Sequence, residues 1–572
     1  MRRAEGVTIR HARKFIFQRL DTIRDARRHI IMWVLAVGIL IGASGLQLMW
    51  YHGNYQTLAP ADGGTFAEGV LGPVQTLNPL FSSTPAEESI SSLMFSRLFM
   101  YDTSGNLHGD LASDIKVDTT GKIYTVTLRP DVKWTDGYSL TAKDILFTTE
   151  LLKNSAIHST IKGWDNITVA VVDDRTLTFT LPAIYAAFTD ALTFPIVPQH
   201  ILADVTPNTL RENTFSDNPI GSGPFKLRFI QDIDTSVGRR IIHLERNSDY
   251  YKGMSRLDRF QVHVYGTRDA ILKALSSGEI SAAADLTMKD TRLINNDSYQ
   301  VVTSPVNSGV FALLNTTKGV LKDKDVRLAL QTGTDTGALR KQLASDIPAL
   351  DSPFIDGQLT GNVPHAPAYD LDKAKKMLDD AGWKISGETR QKDGIPLKIN
   401  VVTTKDNDYE RALETLAGQW RSIGVTVETL VIDPSDQSQG LVQNVLQQRN
   451  YDVLIYQLSI GADPDVYAYW HSSQIGTSGL NFSNYANAIS DDALVSARSR
   501  NESELRNNKY LTFARQWLAD VPAIGLYQST SQYVHSKSVQ PYNSSNTLIS
   551  SQDRYADILN WSVGSEMVFQ TP

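Results

Sequence analysis

The sequence predicts an α/β protein preceded by one transmembrane helix, and three observations support this fold class. The chain has 572 residues, which is enough for several domains. Hydrophobic residues make up 41% of it and charged residues 20%, a balance typical of globular proteins with a large core. From residue 63 onward, segments with the two-residue period of strands alternate with segments of helical period. Such alternation is typical of α/β folds.

The amino-acid composition excludes several kinds of site. There is no cysteine, which excludes disulfides, thiolate metal ligands, cysteine nucleophiles and a lipidated N-terminal cysteine. The eleven histidines show no HExxH or paired spacing, so neither a metal nor another cofactor is expected. Beyond residue 29 the chain carries 46 Lys and Arg against 59 Asp and Glu, and this acidic balance argues against nucleic acid as a partner.

Residues 30–50 form an uncharged, apolar run that is expected to cross the membrane. As a helix, this run spans about 30 Å, the thickness of the hydrocarbon core of a bilayer. Residues 1–29 carry nine Lys and Arg against three Asp and Glu, and the next Lys or Arg after the run is Arg97. This asymmetry predicts a single-pass signal anchor with the N-terminus in the cytoplasm and the body outside. A cleaved secretory signal is the alternative, although its apolar core and its n-region would both be unusually long.

The basic segment before the anchor has a second feature. Ile16, Leu20 and Ile23 have the spacing of an amphipathic helix that could lie on the inner leaflet. Ordinary positive-inside flanking charge explains the segment equally well.

The stretch Gly121–Leu152 contains three local structures in succession. Tyr124, Val126 and Leu128 alternate with threonines, which is the period of a half-buried strand. Thr141 and Asp144 have the spacing of a capping box, so a helix is expected to begin there. By pattern alone, this is an ordinary strand–turn–helix unit.

The exact residues of this stretch are more specific than its hydrophobic pattern. YTVTLRPDVKWTDGYSLTAKDILF resembles the signature of the extracytoplasmic solute-binding proteins of the peptide/nickel class, family 5, which are receptors of dipeptide and oligopeptide ABC importers. Further motifs of that family occur in order between about Gly63 and Gln528, among them GPVQTLNPLF, FPIVPQHIL, GSGPF, LDKAKKMLDDAGW, YDVLIYQLSIGADP and VPAIGLYQ. The resemblance therefore covers most of the body.

The resemblance implies a two-lobed periplasmic-binding-protein fold, type II, in the large three-subdomain variant of the peptide receptors. Its expected parts are a cytoplasmic basic segment (1–29), the transmembrane anchor (30–50), a short tether (51–62), lobe I (63–82, 207–308 and 525–572), an accessory subdomain of lobe I (83–206) and lobe II (309–524).

The same resemblance implies a function. The expected protein is a membrane-anchored receptor on the cell surface or in the periplasm, which binds peptides, in particular oligopeptides, between its lobes. Its expected partners are the peptide ligand, the permease subunits of an ABC transporter and the lipid bilayer through residues 30–50. A membrane-tethered sensor or assembly protein with the same fold is an alternative, and so is a binder of a sugar or a metal chelate.

In peptide-binding members of the family, an acidic residue in the loop after the YDV-type strand pairs with the α-ammonium of the ligand. In this chain that position falls close to Ile460, so Asp463 or Asp465 is expected to substitute, unless these carboxylates only cap a helix over 466–471. The other residues that the resemblance places in the cleft are Tyr456, Ser459, Asn481, Phe482 and Asn315.

An enzyme is not expected. The sequence contains no GxSxG elbow, no Walker A motif and no evident acid/base pair. GSGPF at 221–225 is not a phosphate loop, because it lacks the GK[ST] ending and its proline removes an amide donor.

Overall fold

The fold is described from a computed structural model of the chain. The structure describes residues 26–569, apart from 160, 162, 295–296, 345–346, 435, 437 and 542–545. Most of the expected basic segment 1–29, including its proposed amphipathic helix, lies outside the described residues. The described chain forms two compact units, one from its two ends (up to Ala61 and from Gly564) and the other from Asp62–Val563.

The first unit contains the expected membrane helix, α1 (Arg27–Tyr55). Its portion Arg27–His52 is long and apolar enough to cross a bilayer. The segment expected to be a tether carries secondary structure, because strand β1 (Gln56–Pro60) pairs antiparallel with β21 (Ser565–Phe569). The end of the chain, assigned to lobe I from its sequence, thus pairs with the segment that follows the membrane helix.

The second unit alternates strands and helices as predicted. Its strands are β2 (Thr65–Leu71), β3 (Phe99–Tyr101), β4 (Leu107–Gly109), β5 (Ala112–Val117), β6 (Ile123–Leu128), β7 (Thr168–Asp173), β8 (Thr176–Thr180), β9 (Phe225–Asp234), β10 (Arg239–Arg246), β11 (Arg259–Tyr265), β12 (Ala282–Leu286), β13 (Tyr299–Leu314), β14 (Lys384–Ser386), β15 (Thr389–Lys392), β16 (Ile395–Pro396), β17 (Lys398–Thr404), β18 (Thr426–Ile432), β19 (Val453–Ser459) and β20 (Ala523–Ser536). Its α-helices are α2 (Pro85–Met94), α3 (Ala142–Lys153), α4 (Phe188–Ala191), α5 (Gln199–Leu202), α6 (Arg268–Ser277), α7 (Met288–Thr291), α8 (Lys324–Thr332), α9 (Thr336–Leu343), α10 (Leu371–Asp380), α11 (Asn407–Ser422), α12 (Tyr467–Trp470), α13 (Ala488–Arg498) and α14 (Ser503–Asp520).

One mixed sheet of ten strands runs through the whole unit, in the order β18-β17-β19-β13-β20-β12-β2-β11-β10-β9. The two longest strands, β13 and β20, pair antiparallel in the middle of this sheet. At one end β13 also pairs with β19, and at the other end β20 pairs with β12. The two strands expected to cross between the lobes therefore lie side by side and connect the two halves of the sheet.

The accessory segment confirms the local predictions for Gly121–Leu152. β5, β6, β8 and β7 form a four-stranded antiparallel sheet, and Tyr124, Val126 and Leu128 are the buried face of β6. Thr141 and Asp144 form the expected capping box, in which Thr141 accepts from backbone N–H groups of the first turn of α3 and the Asp144 carboxylate accepts from the Thr141 N–H.

The buried hydrophobic side chains form four clusters in the described part of the chain. Two of them contain side chains from β2 to β13 and from β20 to residue 561. The other two lie against β13, β17 and β19 and contain the apolar faces of α8, α11 and α14. Packing on both faces of a mixed sheet is the arrangement of an α/β fold.

Candidate ligand-binding cavity

A cavity of about 530 Å³ lies in the second unit, where the two crossing strands meet the segments on either side. This volume is within the range of ligand pockets, which is about 300–1,000 Å³. Residues from β13, β19 and β20 line it, together with residues that follow β12 and β17. The cavity is therefore bounded by segments of both expected lobes.

The floor of the cavity coincides with an irregularity in the crossing strands. The pairing of β13 with β20 shifts between Pro305 and Gly309, where Pro305 faces Thr530 and Gly309 faces Gln528. Ser308 and Ser529 line the cavity beside this shift. Such bulges in a ladder re-aim side chains and are common next to functional sites.

The wall from the expected lobe II is the beginning of α11. Asp406 is the N-cap of this helix and accepts a hydrogen bond from the Asp408 N–H at 2.9 Å. Both carboxylates line the cavity. Burial and the nearby Asp406 charge raise the pKa of Asp408 to about 6, although the Met288 N–H donates a hydrogen bond to its carboxylate.

The wall from the expected lobe I is formed by the end of β12 and the beginning of α6. Asp285 has a left-handed backbone with φ of 62°, and its side chain accepts a hydrogen bond from the Leu71 N–H at 3.2 Å. The Arg268 Nε donates to the Asp285 carbonyl oxygen at 2.8 Å. Burial raises the pKa of the Asp285 carboxyl group.

Polar contacts connect the two walls. Arg268 Nη1 and Asp406 Oδ2 form an ion pair at 3.2 Å, and Lys289 Nζ donates to Asn407 Oδ1 at 3.5 Å. Elsewhere in the unit, the accessory segment contacts α13, since the Ala186 N–H donates to the Arg498 carbonyl oxygen at 3.1 Å. These contacts hold the expected lobes together around the cavity.

Two hydroxyl groups of β20 line the cavity without a hydrogen-bond partner among the described residues. Tyr527 is 3% exposed and Ser529 is 9% exposed. Burial raises the pKa of Tyr527 well above its ordinary value, and the neighbouring Tyr409, Asp408 and Asp406 raise it further. Tyr527 thus lines the same cavity as Asp406 and Asp408 at the beginning of α11.

Of the residues expected in the cleft, only some lie on the cavity lining. Ser459 lies on the cavity lining, at the end of β19. Tyr456 lies three residues earlier on the same strand, with its ring 5.8 Å from that of Phe482. Asn315 and Asn481 are buried and bond to neighbouring loops: the Asn315 side chain donates to the Tyr451 carbonyl oxygen, and that of Asn481 donates to the Tyr485 carbonyl oxygen. A ligand contact through any of these residues stays a prediction.

Asp463 and Asp465 lie away from the cavity lining and are paired with arginines. Arg506 Nη2 contacts both carboxylate oxygens of Asp463, at 2.7 and 2.8 Å. Asp465 pairs with Arg498 at 3.0 Å and accepts from the Tyr467 N–H, the first of α12. Asp465 thus has the helix-end contact that was the alternative interpretation, and an ammonium-binding role for Asp463 stays a prediction.

The carboxylates that do line the cavity were not predicted as site residues. Asp406 and Asp408 follow a buried strand and precede a helix, where acidic residues are usual as caps. Asp285 is the fourth residue of β12 and lies in a run without any motif. The sequence did contain a signal for Asp406 and Asp408, because the loops that follow the strands of an α/β sheet commonly carry binding residues.

No group of three or more metal-ligating side chains occurs among the residues that the structure describes. The arrangement is instead that of a binding site, a cavity between two parts of one sheet with convergent carboxylate and hydroxyl groups. A mixed-sheet α/β unit with two crossing strands and a cavity between its halves is the fold of a solute-binding protein.

The chain belongs to the bacterial extracellular solute-binding proteins, family 5, whose model matches residues 106–479. This confirms the family that the motifs predicted. Among its relatives, the chain is 29% identical to the oligopeptide-binding protein AppA of Bacillus subtilis over 543 residues, which is 90% of this chain and 94% of AppA.

Solved structures show the same fold. AppA from Bacillus subtilis in complex with a nonapeptide has a TM-score of 0.72 and 27% identity, and the match covers 88% of this chain and 99% of AppA. NikZ from Campylobacter jejuni in complex with Ni(L-His) has a TM-score of 0.74 at 23% identity, and the match covers 87% of this chain and 99% of NikZ.

Proposed function

We propose that this protein is a membrane-anchored extracytoplasmic receptor that binds peptides in the cavity between its lobes and delivers them to an ABC permease. It performs no chemistry on its ligand. The observation that carries this proposal is the cavity of about 530 Å³ at the crossing strands, bounded by segments of both lobes. Closure of two lobes around such a cavity removes the ligand from water.

Peptide as the ligand class is supported by similarity to AppA, which is named an oligopeptide-binding protein and was solved with a nonapeptide. The floor and one side of the cavity are strand edges and strand ends, at Ser308, Ser459 and Ser529. Extended peptides bind well beside strands, because backbone groups provide affinity and pockets accept alternate side chains.

Membrane attachment is supported by α1, whose apolar portion Arg27–His52 is long enough to cross a bilayer. The charge asymmetry around it favours a cytoplasmic N-terminus and an external body. Protease added to intact cells should then digest the body and leave a cytoplasmic marker protein whole. In a host with an outer membrane, the same test is made on spheroplasts, from which that membrane has been opened. A body that is digested only after the inner membrane is lysed would contradict this topology.

The ligand class is tested by native mass spectrometry of the full-length chain in detergent, purified from its own host. A series of bound peptide masses is expected. A single bound sugar or a metal chelate, such as that in the NikZ structure, would contradict the peptide assignment.

Delivery to a permease is tested by deleting the gene and measuring uptake of the peptides found in that experiment. Uptake should fall to background and return when the full chain is restored. Unchanged uptake, with loss of a transcriptional response to the peptides, would favour the membrane-tethered sensor.

A further inference from the structure

The lining of the cavity carries an excess of negative charge. Glu88, Asp285, Asp406 and Asp408 line it, against the guanidinium group of Arg268 as the one basic side chain among the described lining residues. Arg268 already forms an ion pair with Asp406 at 3.2 Å. A partly buried site with unbalanced carboxylates favours a cation, because burial of charge is costly unless the charge is paired.

Asp408 is a lining carboxylate without a paired cation. It forms no ion pair within 4 Å with any described Lys, Arg or His, and it accepts one backbone hydrogen bond, from Met288. Asp406, which lies two residues before Asp408 at the start of α11, carries the same negative charge. The remaining acceptor positions of the Asp408 carboxylate are available to a ligand.

Buried hydroxyl groups provide an independent sign of a ligand at the same place. Tyr527 lines the same cavity as Asp408 and is almost fully buried, and Ser529 follows two residues along β20. Neither has a hydrogen-bond partner in the described part of the chain. Buried polar groups are normally paired, so two unpaired hydroxyls on one cavity wall indicate that a polar ligand group binds there.

We propose that Asp408, with Asp406 and the hydroxyls of Tyr527 and Ser529, forms a subsite for a cationic group of the ligand. The cationic group is the α-ammonium or a side-chain ammonium of a peptide, and this identity rests on the proposed function. An ammonium group has three donors and no acceptor, and carboxylate and hydroxyl oxygens provide matching acceptors. The subsite would assume the role that the family resemblance gave to Asp463, whose carboxylate is already paired with Arg506.

The test measures calorimetric affinities of the full-length chain in detergent for four probes: penta-alanine, N-acetyl-penta-alanine amide, the same blocked peptide with a central lysine, and cadaverine. The variants are Asp408→Asn and the double variant Asp406→Asn/Asp408→Asn. The wild type should bind the probes that carry an ammonium more tightly than the blocked peptide. Each variant should lose affinity for those probes by about tenfold or more. Asp408→Asn should change little for the blocked peptide, whereas the double variant, which also breaks the ion pair with Arg268, should bind the blocked peptide less tightly too but lose most for the ammonium probes.

A matched control is available in the neighbouring helix α10. Asp370 is its N-cap and Asp372 lies in its first turn, the same two positions that Asp406 and Asp408 occupy in α11. Asp370→Asn/Asp372→Asn removes the same charges from a helix start outside the cavity lining, and asparagine keeps the cap in both double variants. This control should bind all four probes as the wild type does.

The outcomes separate the subsite from the proposed function. Binding of cadaverine but of no peptide, with loss in the Asp408 variant, would keep the subsite and contradict the peptide function. Equal losses for amine and blocked probes would overturn the subsite, because lost closure would affect all ligands alike. A wild type that prefers no amine probe would overturn it as well.

Discussion

Arg268 and Asp406 form an ion pair at 3.2 Å that connects the beginning of α6 to the beginning of α11 across the cavity. The two side chains are 31% and 19% exposed, so the pair is partly shielded from water. Their helices belong to the two expected lobes, and the pair would separate if the lobes moved apart. The pair therefore favours the closed arrangement.

Replacement of this arginine should shift the protein toward an open arrangement. Arg268→Gln removes an ion pair worth about 1 kcal/mol, so the radius of gyration in small-angle scattering of the ligand-free chain should increase. Arg246→Gln is the matched control, because Arg246 pairs with Asp258 at the same distance of 3.2 Å within the expected lobe I. An equal radius for the two variants would contradict a role in closure.

Asp408→Asn should stabilise the ligand-free protein at neutral pH. The folded protein raises the pKa of this carboxyl group from 3.8 to about 6, so the charged form is disfavoured in the fold. A shift of this size corresponds to about 3 kcal/mol, which the variant regains in part. The gain in urea stability should be present above about pH 6 and should vanish below about pH 4, where the native carboxyl group is neutral in both states. A variant that is less stable at pH 7 than the wild type would contradict this shift.

The affinity for cationic ligands should depend on pH in the opposite sense to stability. Above about pH 6 Asp408 is charged and accepts the ammonium group; as the pH falls through that value the carboxyl group becomes neutral and affinity should decrease. The groups that face Asp408 from the packed elements are Asp406, Asp290, Arg268, Tyr409 and Tyr527. The calorimetric affinity for penta-alanine, measured between about pH 5 and 7.5, should show this decrease. The affinity of the Asp408→Asn variant should depend less on pH.

A buried ion pair in the expected lobe I should be essential for stability. Glu68 and Arg554 are 0% and 1% exposed, and the Tyr555 hydroxyl donates to the same Glu68 oxygen at 2.7 Å. Glu68→Gln leaves a buried guanidinium group without its counter-charge, so the free energy of unfolding in urea should fall by about 3–5 kcal/mol. Glu428→Gln breaks the exposed pair with Lys398 and should change it by less than about 1 kcal/mol. Equal effects of the two substitutions would contradict this distinction.

The local structure of the body could be predicted from the sequence because it depends on near neighbours. The alternation of Tyr124, Val126 and Leu128 and the capping box of Thr141 and Asp144 both occur as predicted. Such signals depend on residues within one strand or one helical turn.

Pairing across the chain could not be predicted in the same way. The pairing of Gln56–Pro60 with Ser565–Phe569 joins the two ends of the chain, and no periodic pattern specifies a partner at that distance. The motifs predicted the family and the crossing strands, and the ammonium-binding role that they give to Asp463 stays a prediction. The cavity carboxylates Asp406 and Asp408 were hidden because their sequence context is also that of an ordinary helix cap.

The central claim is that a peptide occupies the cavity between the lobes, and cysteine protection tests it most directly. The natural chain has no cysteine, so Ser459→Cys introduces one thiol at the cavity lining. Ser422→Cys introduces one at the exposed end of α11. A saturating peptide, chosen from the masses bound to the purified protein, should slow maleimide modification at position 459 by about tenfold and leave position 422 unchanged. Equal modification rates at position 459 with and without a peptide known to be bound would contradict the account.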